Sequence, residues 1–329
     1  MSKSYFYIET AFHHEGDLNY LKELIYNAKL INADGVKFQV LTNIDDFVAV
    51  QHSGYDILKK YCFSYNQWSS IFEYTKGLDL DIILMPLNKE ALKLVDVFPI
   101  KYIDIHSVSF NDIFLLEEIN NYHQNIILGI GGRTFDEIKE KISFFNDKVK
   151  VLMVGFQSFP SMLEDVNLGK IKHLVNDFSK FLIGYADHSS FDDENAISSN
   201  EYARLLGATI FEKHVTLNEG IERVDYNSAI SFEKMKRIIE KINFIESHIL
   251  IDNNTAYKLN DKERVYRDRQ LVCVSNKIIE KGNYINKEDI SFKMVSDSNN
   301  CITNSSDLIG RISAENILKN QPILKTYIV

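Results

Sequence analysis

Short apolar runs alternate with longer stretches of helical periodicity along most of this chain. Runs of strand character lie at Tyr5–Glu9, Gly35–Gln39, Asp81–Met85, Tyr102–Ser107, Asn125–Gly129, Val149–Val154, Phe181–Tyr185 and Thr209–Lys213. Between and after them, apolar residues recur at i, i+3 and i+4 over Leu18–Ile31, Gln67–Lys76, Asn88–Val95, Ile113–Asn121, Thr134–Phe144, Leu168–Phe178, Asn195–Leu206 and Phe232–Ile249. That spacing gathers them on one face of a helix. Eight strand-and-helix repeats predict a (β/α)8 barrel of the TIM type, and strands apolar nearly throughout suit a parallel sheet covered on both sides. A doubly wound open sheet is the competing layout.

Pro86, Pro99, Pro160 and Pro322 all fall where strand ends or turns are expected, and none interrupts a proposed helix. From Asp252 to Asp268 the periodicity lapses into polar sequence, Asn253-Asn254-Thr255 and then Asn260-Asp261-Lys262-Glu263-Arg264, which reads as a linker. Beyond it, Gln270–Val274, Lys281-Gly282, Ile290–Met294 and Gly310-Arg311 mark short strands and turns. The expected organisation is a barrel over residues 1–250, a linker over 251–268 and a small β-rich module over 269–329.

Composition narrows the class. With 329 residues, 45% hydrophobic and 25% charged, the chain has material for a large core and is unlike a disordered segment. Its 37 Lys and Arg against 46 Asp and Glu give a net charge of -9 with no basic cluster, which disfavours a nucleic-acid partner. Cys62, Cys273 and Cys301 fit neither a disulfide framework nor a metal knuckle and suggest a reducing compartment. No signal-peptide pattern opens the sequence and no apolar run reaches the ~18 residues of a membrane span, so a cytoplasmic protein with no membrane partner is expected.

Barrel enzymes gather their chemistry at the C-terminal ends of the strands. Polar residues at those positions are Glu9 with His13-His14-Glu15-Gly16, then Lys37 and Gln39, His106, Ser107 and Ser109, Gly129 to Arg133, Gln157, Asp187-His188, and Glu212-Lys213-His214. A charge in an apolar strand is costly unless paired or put to use. His188 and His214 close adjacent strands, so they either ligate a divalent cation or form a structural pair. Lys37 holds an anion or salt-bridges Glu9; Glu9 orients a water or hydroxyl, or answers Lys37. The turn Gly129–Arg133 is an anion nest beside a helix N-terminus or simply a tight turn. His13 and His14 either touch substrate or lie solvated in the first loop.

Several of these residues also carry a family pattern. Gly184-Tyr185-Ala186-Asp187-His188-Ser189 and Phe211-Glu212-Lys213-His214-Val215-Thr216 resemble the GxSDHT and EKHFT signatures of the sialic acid synthase family. Ile8-Glu9 through His14-Glu15-Gly16 is similar to its opening AEIGxNHxG, and Ala33-Asp34-Gly35-Val36-Lys37-Phe38-Gln39 to its ADAVKFQ. Ile278-Ile279-Glu280-Lys281-Gly282, Lys287-Glu288-Asp289-Ile290 and Leu308-Ile309-Gly310-Arg311 resemble the antifreeze-like (SAF, β-clip) domain that ends these enzymes. The resemblance covers essentially the whole chain.

It implies metal-dependent condensation of phosphoenolpyruvate with an N-acylated aminosugar, or its phosphate, to a nonulosonic 2-keto acid, with release of phosphate. On it, His188 and His214 are ligands of Mn2+ or Mg2+, Glu9 is the acid beside the metal, Lys37 binds phosphoenolpyruvate and Asp225 contacts the acceptor. Gln39, His106, Ser107, Gly129, Arg133, Gln157 and Asp187 complete the expected substrate site. It further implies a domain-swapped homodimer in which the antifreeze-like domain of one subunit covers the barrel mouth of the other.

The departures fall on the donor side. The family's strand-four K-I-G/A-S-x-E/D aligns with Asp104-Ile105-His106-Ser107-Val108-Ser109, so its lysine becomes Asp104 and its acid Ser109. Met85, Gly129, Gln157 and Ala186 replace a hydroxyl, a serine, an asparagine and a serine. Lys293-Met294-Val295 stands where K-R-P is usual. Losing a charged contact costs about 1.5–3 kcal/mol, so His106 and Arg133 are the candidate replacements. A metal-dependent aldolase or lyase acting on a keto acid without a phosphate donor is the alternative, and a non-catalytic assembly partner the other.

Overall fold

The structure, a computed structural model, describes residues 3–155, 158, 160–250, 254 and 256–329. The chain divides into two compact units, Met1–Ile251 and Asp252–Val329.

In the first unit the strands are β1 (Tyr5–Glu9), β2 (Gly35–Val40), β3 (Asp81–Pro86), β4 (Ile100–Ile105), β5 (Asn125–Gly129), β6 (Val149–Gly155), β7 (Leu182–Asp187) and β8 (Ile210–Thr216). Each pairs in parallel with the next, and β8 returns to pair with β1, which closes a barrel and excludes the open sheet. The short β9 (Ile230–Ser231) continues beside the end of β8. Helices α1 (Leu18–Leu30), α2 (Tyr55–Tyr61), α3 (Tyr65–Gly77), α4 (Ile113–Asn120), α5 (Phe135–Phe145), α6 (Leu163–Val166), α7 (Lys170–Asp177), α8 (Asn195–Leu206) and α9 (Phe232–His248) belong to the same unit. Among the described residues no helix is long and apolar enough to cross a membrane.

Strand side chains alternate between two environments, because successive residues of a strand face opposite sides of the sheet. Phe6, Ile8, Val36, Phe38, Ile82, Leu84, Ile103 and Ile105 join the large core between strands and helices. Tyr7, Ile83, Tyr102, Ile127, Val151, Met153, Ala186 and Ile210 fill the smaller barrel interior. The interior set fixes which polar residues point inward: Glu9 shares the parity of Tyr7, Asp104 that of Tyr102, and Glu212 and His214 that of Ile210.

Several boundaries differ from expectation. Asn88–Val95 is replaced by a 3-10 stretch, Lys89–Asp96. The helix expected over 168–178 runs over Lys170–Asp177, and a short helix not expected, α6, precedes it, the two separated by Asn167 with φ at 50°. Strand four stops at Ile105, and Ser107–Ser109 forms a 3-10 turn capped by the His106 side chain. The polar stretch expected as a linker contains α10 (Asp261–Arg267), started by a capping box between Asn260 and Glu263, a local signal that overrides the loss of apolar periodicity.

In the second unit β10 (Val272–Ser275) pairs antiparallel with β11 (Ile290–Lys293). Single bridges such as Ile279 with Ile317 and Tyr284 with Ile312 tie the remaining turns around a core that includes Cys273, Ile285, Leu308 and Ile323. Cys62, Cys273 and Cys301 are free thiols.

Candidate active site

Barrel closure brings the first and last strands together, and the register sets Glu9 opposite His214 on one side and opposite Lys37 on the other. All three side chains are buried. His214 Nε2 lies 3.1 Å from Glu9 Oε2, Gln39 Nε2 donates to Glu9 Oε1 at 2.8 Å, and the His188 and His214 rings are 5.1 Å apart between centroids. Ligand atoms of Glu9, His188 and His214 all fall within 4.8 Å of one another.

One carboxylate and two imidazoles at the mouth of a barrel form a donor set that suits a divalent cation with open positions. The protonation states agree with that use. Burial pushes His188 down to about 3, so its ring is neutral and able to ligate. Burial works to raise Glu9, but Lys37 and then His214 outweigh it and hold its carboxyl well below the usual range.

Beneath this triad lies a group of buried charges that strand-end position alone reveals only in part. Lys37 Nζ is 3.0 Å from Asp104 Oδ2, 3.0 Å from Glu212 Oε2 and 3.4 Å from Glu9 Oε1. The Tyr7 hydroxyl donates to Glu212 Oε2 at 2.6 Å. Burial opposes the lysine's charge, yet Asp104, Glu212 and Glu9 together keep Lys37 protonated well above its normal range. Burial also raises Asp104 and Glu212, more strongly for Glu212, while Glu9 is held low. Neighbouring carboxyls that cannot all ionise divide in this way. Lys37 therefore has its salt bridge to Glu9, with two nearer partners besides.

The cavity lined by Lys37, Asp104, His106, Gly129, His188 and Glu212 holds about 20 Å³, room for roughly one water-sized species. His106 and Ser107 border it, and burial pushes His106 down to about 4. Arg133 does not reach it. Its guanidinium donates to the Ser107 carbonyl at 2.8 Å, lies over the Phe110 ring and lines a separate cavity of about 270 Å³ with Phe135, Lys170 and His173. A Cβ at Gly129 would meet the Ile105 carbonyl oxygen at 3.1 Å, a tight but not forbidden contact with the neighbouring strand. Gln157 lies outside the described residues.

Asp187 corrects an expectation. Its parity points it away from the mouth, where its carboxylate accepts from the Ser189 backbone N–H and from Asn200 of α8 at 2.9 Å each, and pairs with Lys213 at 3.1 Å. It is a structural anchor beside His188, with no oxygen left facing substrate. His13 and His14 are likewise not solvated: both are buried, and His14 stacks on Phe63 at 4.6 Å. Burial lowers His13 to about 4 and His14 to about 3. Asp225 is half-buried near the triad; burial raises it, with His214 opposing and Glu9 reinforcing.

The sequence profile described as the NeuB family matches residues 24–251. The chain is 27% identical to pseudaminic acid synthase of Helicobacter pylori, covering 86% of this chain and 85% of that one. It is 24% identical to N-acetylneuraminate-9-phosphate synthase of Drosophila melanogaster over 99% of this chain and 96% of the other. Among solved structures it is similar to a putative spore coat polysaccharide biosynthesis protein E of Chromobacterium violaceum, with a TM-score of 0.85 at 20% identity, covering 99% and 100% of the two chains. At that identity the likeness speaks for the fold alone.

Proposed function

Because this chain belongs to the NeuB family, we propose that it joins a three-carbon donor to the aldehyde of an N-acylated aminosugar, or its phosphate, making a nonulosonic 2-keto acid. The observation that carries the reading is the convergence of Glu9, His188 and His214 at the barrel mouth. Those three residues would hold Mn2+ or Mg2+, which supplies Lewis acidity to the aldehyde oxygen when bound.

The chain's own groups have separate tasks in this reading. Glu9, kept charged beside Lys37, orients the reacting carbonyl. Glu212, whose carboxyl is pushed up by burial, is the acid at the floor of the site. Asp225 contacts the acceptor, and Lys37 with His106 and Ser107 faces the anionic end of a donor seated at the barrel mouth, above the small central cavity. With phosphoenolpyruvate, its methylene carbon bonds to the aldehyde carbon, water adds at the donor's second carbon and phosphate leaves. The second unit takes the part of an antifreeze-like module, with a homodimer as the working assembly.

A specific observation favours a second donor. Lys37 is the one formal cation among the described residues lining the central cavity, and Asp104 matches it. A donor without phosphate suits that balance better: a 2-keto acid loses a methyl proton and adds to the aldehyde, and nothing leaves. Incubation with a panel of N-acyl hexosamines and Mn2+ separates the two. Phosphate release from phosphoenolpyruvate supports the first donor, pyruvate consumption the second, and neither over the whole panel overturns condensation.

A further inference from the structure

The connection from β8 to β9 runs from Leu217 to Ala229, a long loop that carries Asp225. Such a loop does not hold one residue still unless its backbone is tied down. After Asp225 the loop is held by the Phe191 N–H on the Asn227 carbonyl and by Ser228 Oγ on the His188 carbonyl, 2.9 Å each; before it, the tie comes from the loop after β1. Glu15 Oε1 accepts from the Val224 backbone N–H at 3.0 Å, and His13 Nδ1 donates to the Val224 carbonyl at 2.6 Å. Both polar groups of Val224 are thus taken by side chains from the opposite end of the barrel sequence.

Arg223 reinforces the junction. Its Nη1 lies 3.4 Å from the His13 carbonyl oxygen and 3.5 Å from Glu15 Oε2, and its guanidinium sits 3.9 Å from the centre of the Tyr20 ring. Asp225 follows directly, with φ at 60° and ψ at 17°. Aspartate tolerates that left-handed conformation better than most residues, and a fixed neighbour holds it there. The pinned Val224 is such a neighbour.

We propose that His13 and Glu15 are positioning residues which, through Val224, hold the Asp225 carboxylate where a polyhydroxylated acceptor sugar meets the metal site. This inference rests on the condensation reading for the identity of the acceptor, while the latch itself does not depend on that reading.

Two measurements keep the parts separate. Hydrogen exchange of the substrate-free protein reads the latch directly: His13→Leu and Glu15→Ala should speed exchange across residues 223–226 on the order of tenfold, with the barrel strands still protected. Steady-state kinetics with N-acetylmannosamine then reads the positioning. Both variants should raise the acceptor KM on the order of tenfold and leave the donor KM within about twofold. His13→Asn, which offers an N–H near the position of Nδ1, and Glu15→Gln, which still accepts from Val224, should restore most of the loss.

Exchange unchanged in both variants overturns the latch. Faster exchange with donor and acceptor KM rising together, or without rescue by Asn and Gln, overturns the positioning role. A wild-type protein that turns over no aminosugar overturns the condensation reading and the acceptor assignment with it, whatever the exchange shows.

Discussion

Lys37 Nζ lies 3.0 Å from Asp104 Oδ2, across the barrel interior from β2 to β4. The two strands are not neighbours in the sheet, so this pair is made by the closed barrel and not by local sequence. It sets the charge that a donor meets.

The first prediction concerns that charge. Asp104→Asn removes one of the three carboxyls around Lys37 and leaves Glu9 and Glu212 to hold it. The KM for phosphoenolpyruvate should fall about tenfold, the scale of one charged contact. A rise in KM instead shows that Asp104 keeps Lys37 in the posture the donor needs.

The same group is a stability element. Lys37→Met leaves buried carboxyls with no cation, which should cost about 3–5 kcal/mol in urea denaturation. Adding Asp104→Asn to that variant should recover part of the loss. A double variant no more stable than Lys37→Met means the pair is not coupled in the folded protein.

Asp187 is expected to behave as an anchor. Asp187→Ala strands Lys213 in the interior and releases Ser189 and Asn200, so stability should fall by about 3–5 kcal/mol. Altered substrate KM at unchanged stability contradicts this role.

Acid sensitivity should trace in part to His14. Burial lowers its folded pKa to about 3, while in the unfolded chain it titrates near 6.5. Between those values the unfolded state binds a proton that the folded state does not, so stability falls as pH drops through this window, on the order of 1 kcal/mol per pH unit. Denaturation midpoints of His14→Phe should depend less on pH from 6.5 to 4 than those of the wild type. Equal slopes assign the acid sensitivity elsewhere.

Much of the barrel was legible in its apolar runs, because each buried parallel strand announces itself locally. The site was legible in part. Position at a strand end brings out Glu9, Lys37, His188 and His214, but does not by itself say which face of the sheet each residue occupies. Asp187 and Lys213 share the outward parity of Tyr185 and Phe211, which belong to the outer core, while Glu212 and His214 point inward. Alternation within each strand was the signal that separates them. The role of Asp104 was hidden for a different reason: it stood out as a departure from the family pattern, but its partner Lys37 lies two strands away. The ties from His13 and Glu15 to Val224 join residues some 210 positions apart, beyond any local pattern.

The central claim is that Glu9, His188 and His214 hold one divalent cation. Titration of the metal-free protein with Mn2+, followed by electron paramagnetic resonance of the free ion, tests it most directly. One Mn2+ should bind per wild-type chain, and both His188→Ala and His214→Ala should lose it with the fold retained. A wild-type chain that leaves Mn2+ free, or alanine variants that bind it as well as the wild type, contradicts the claim.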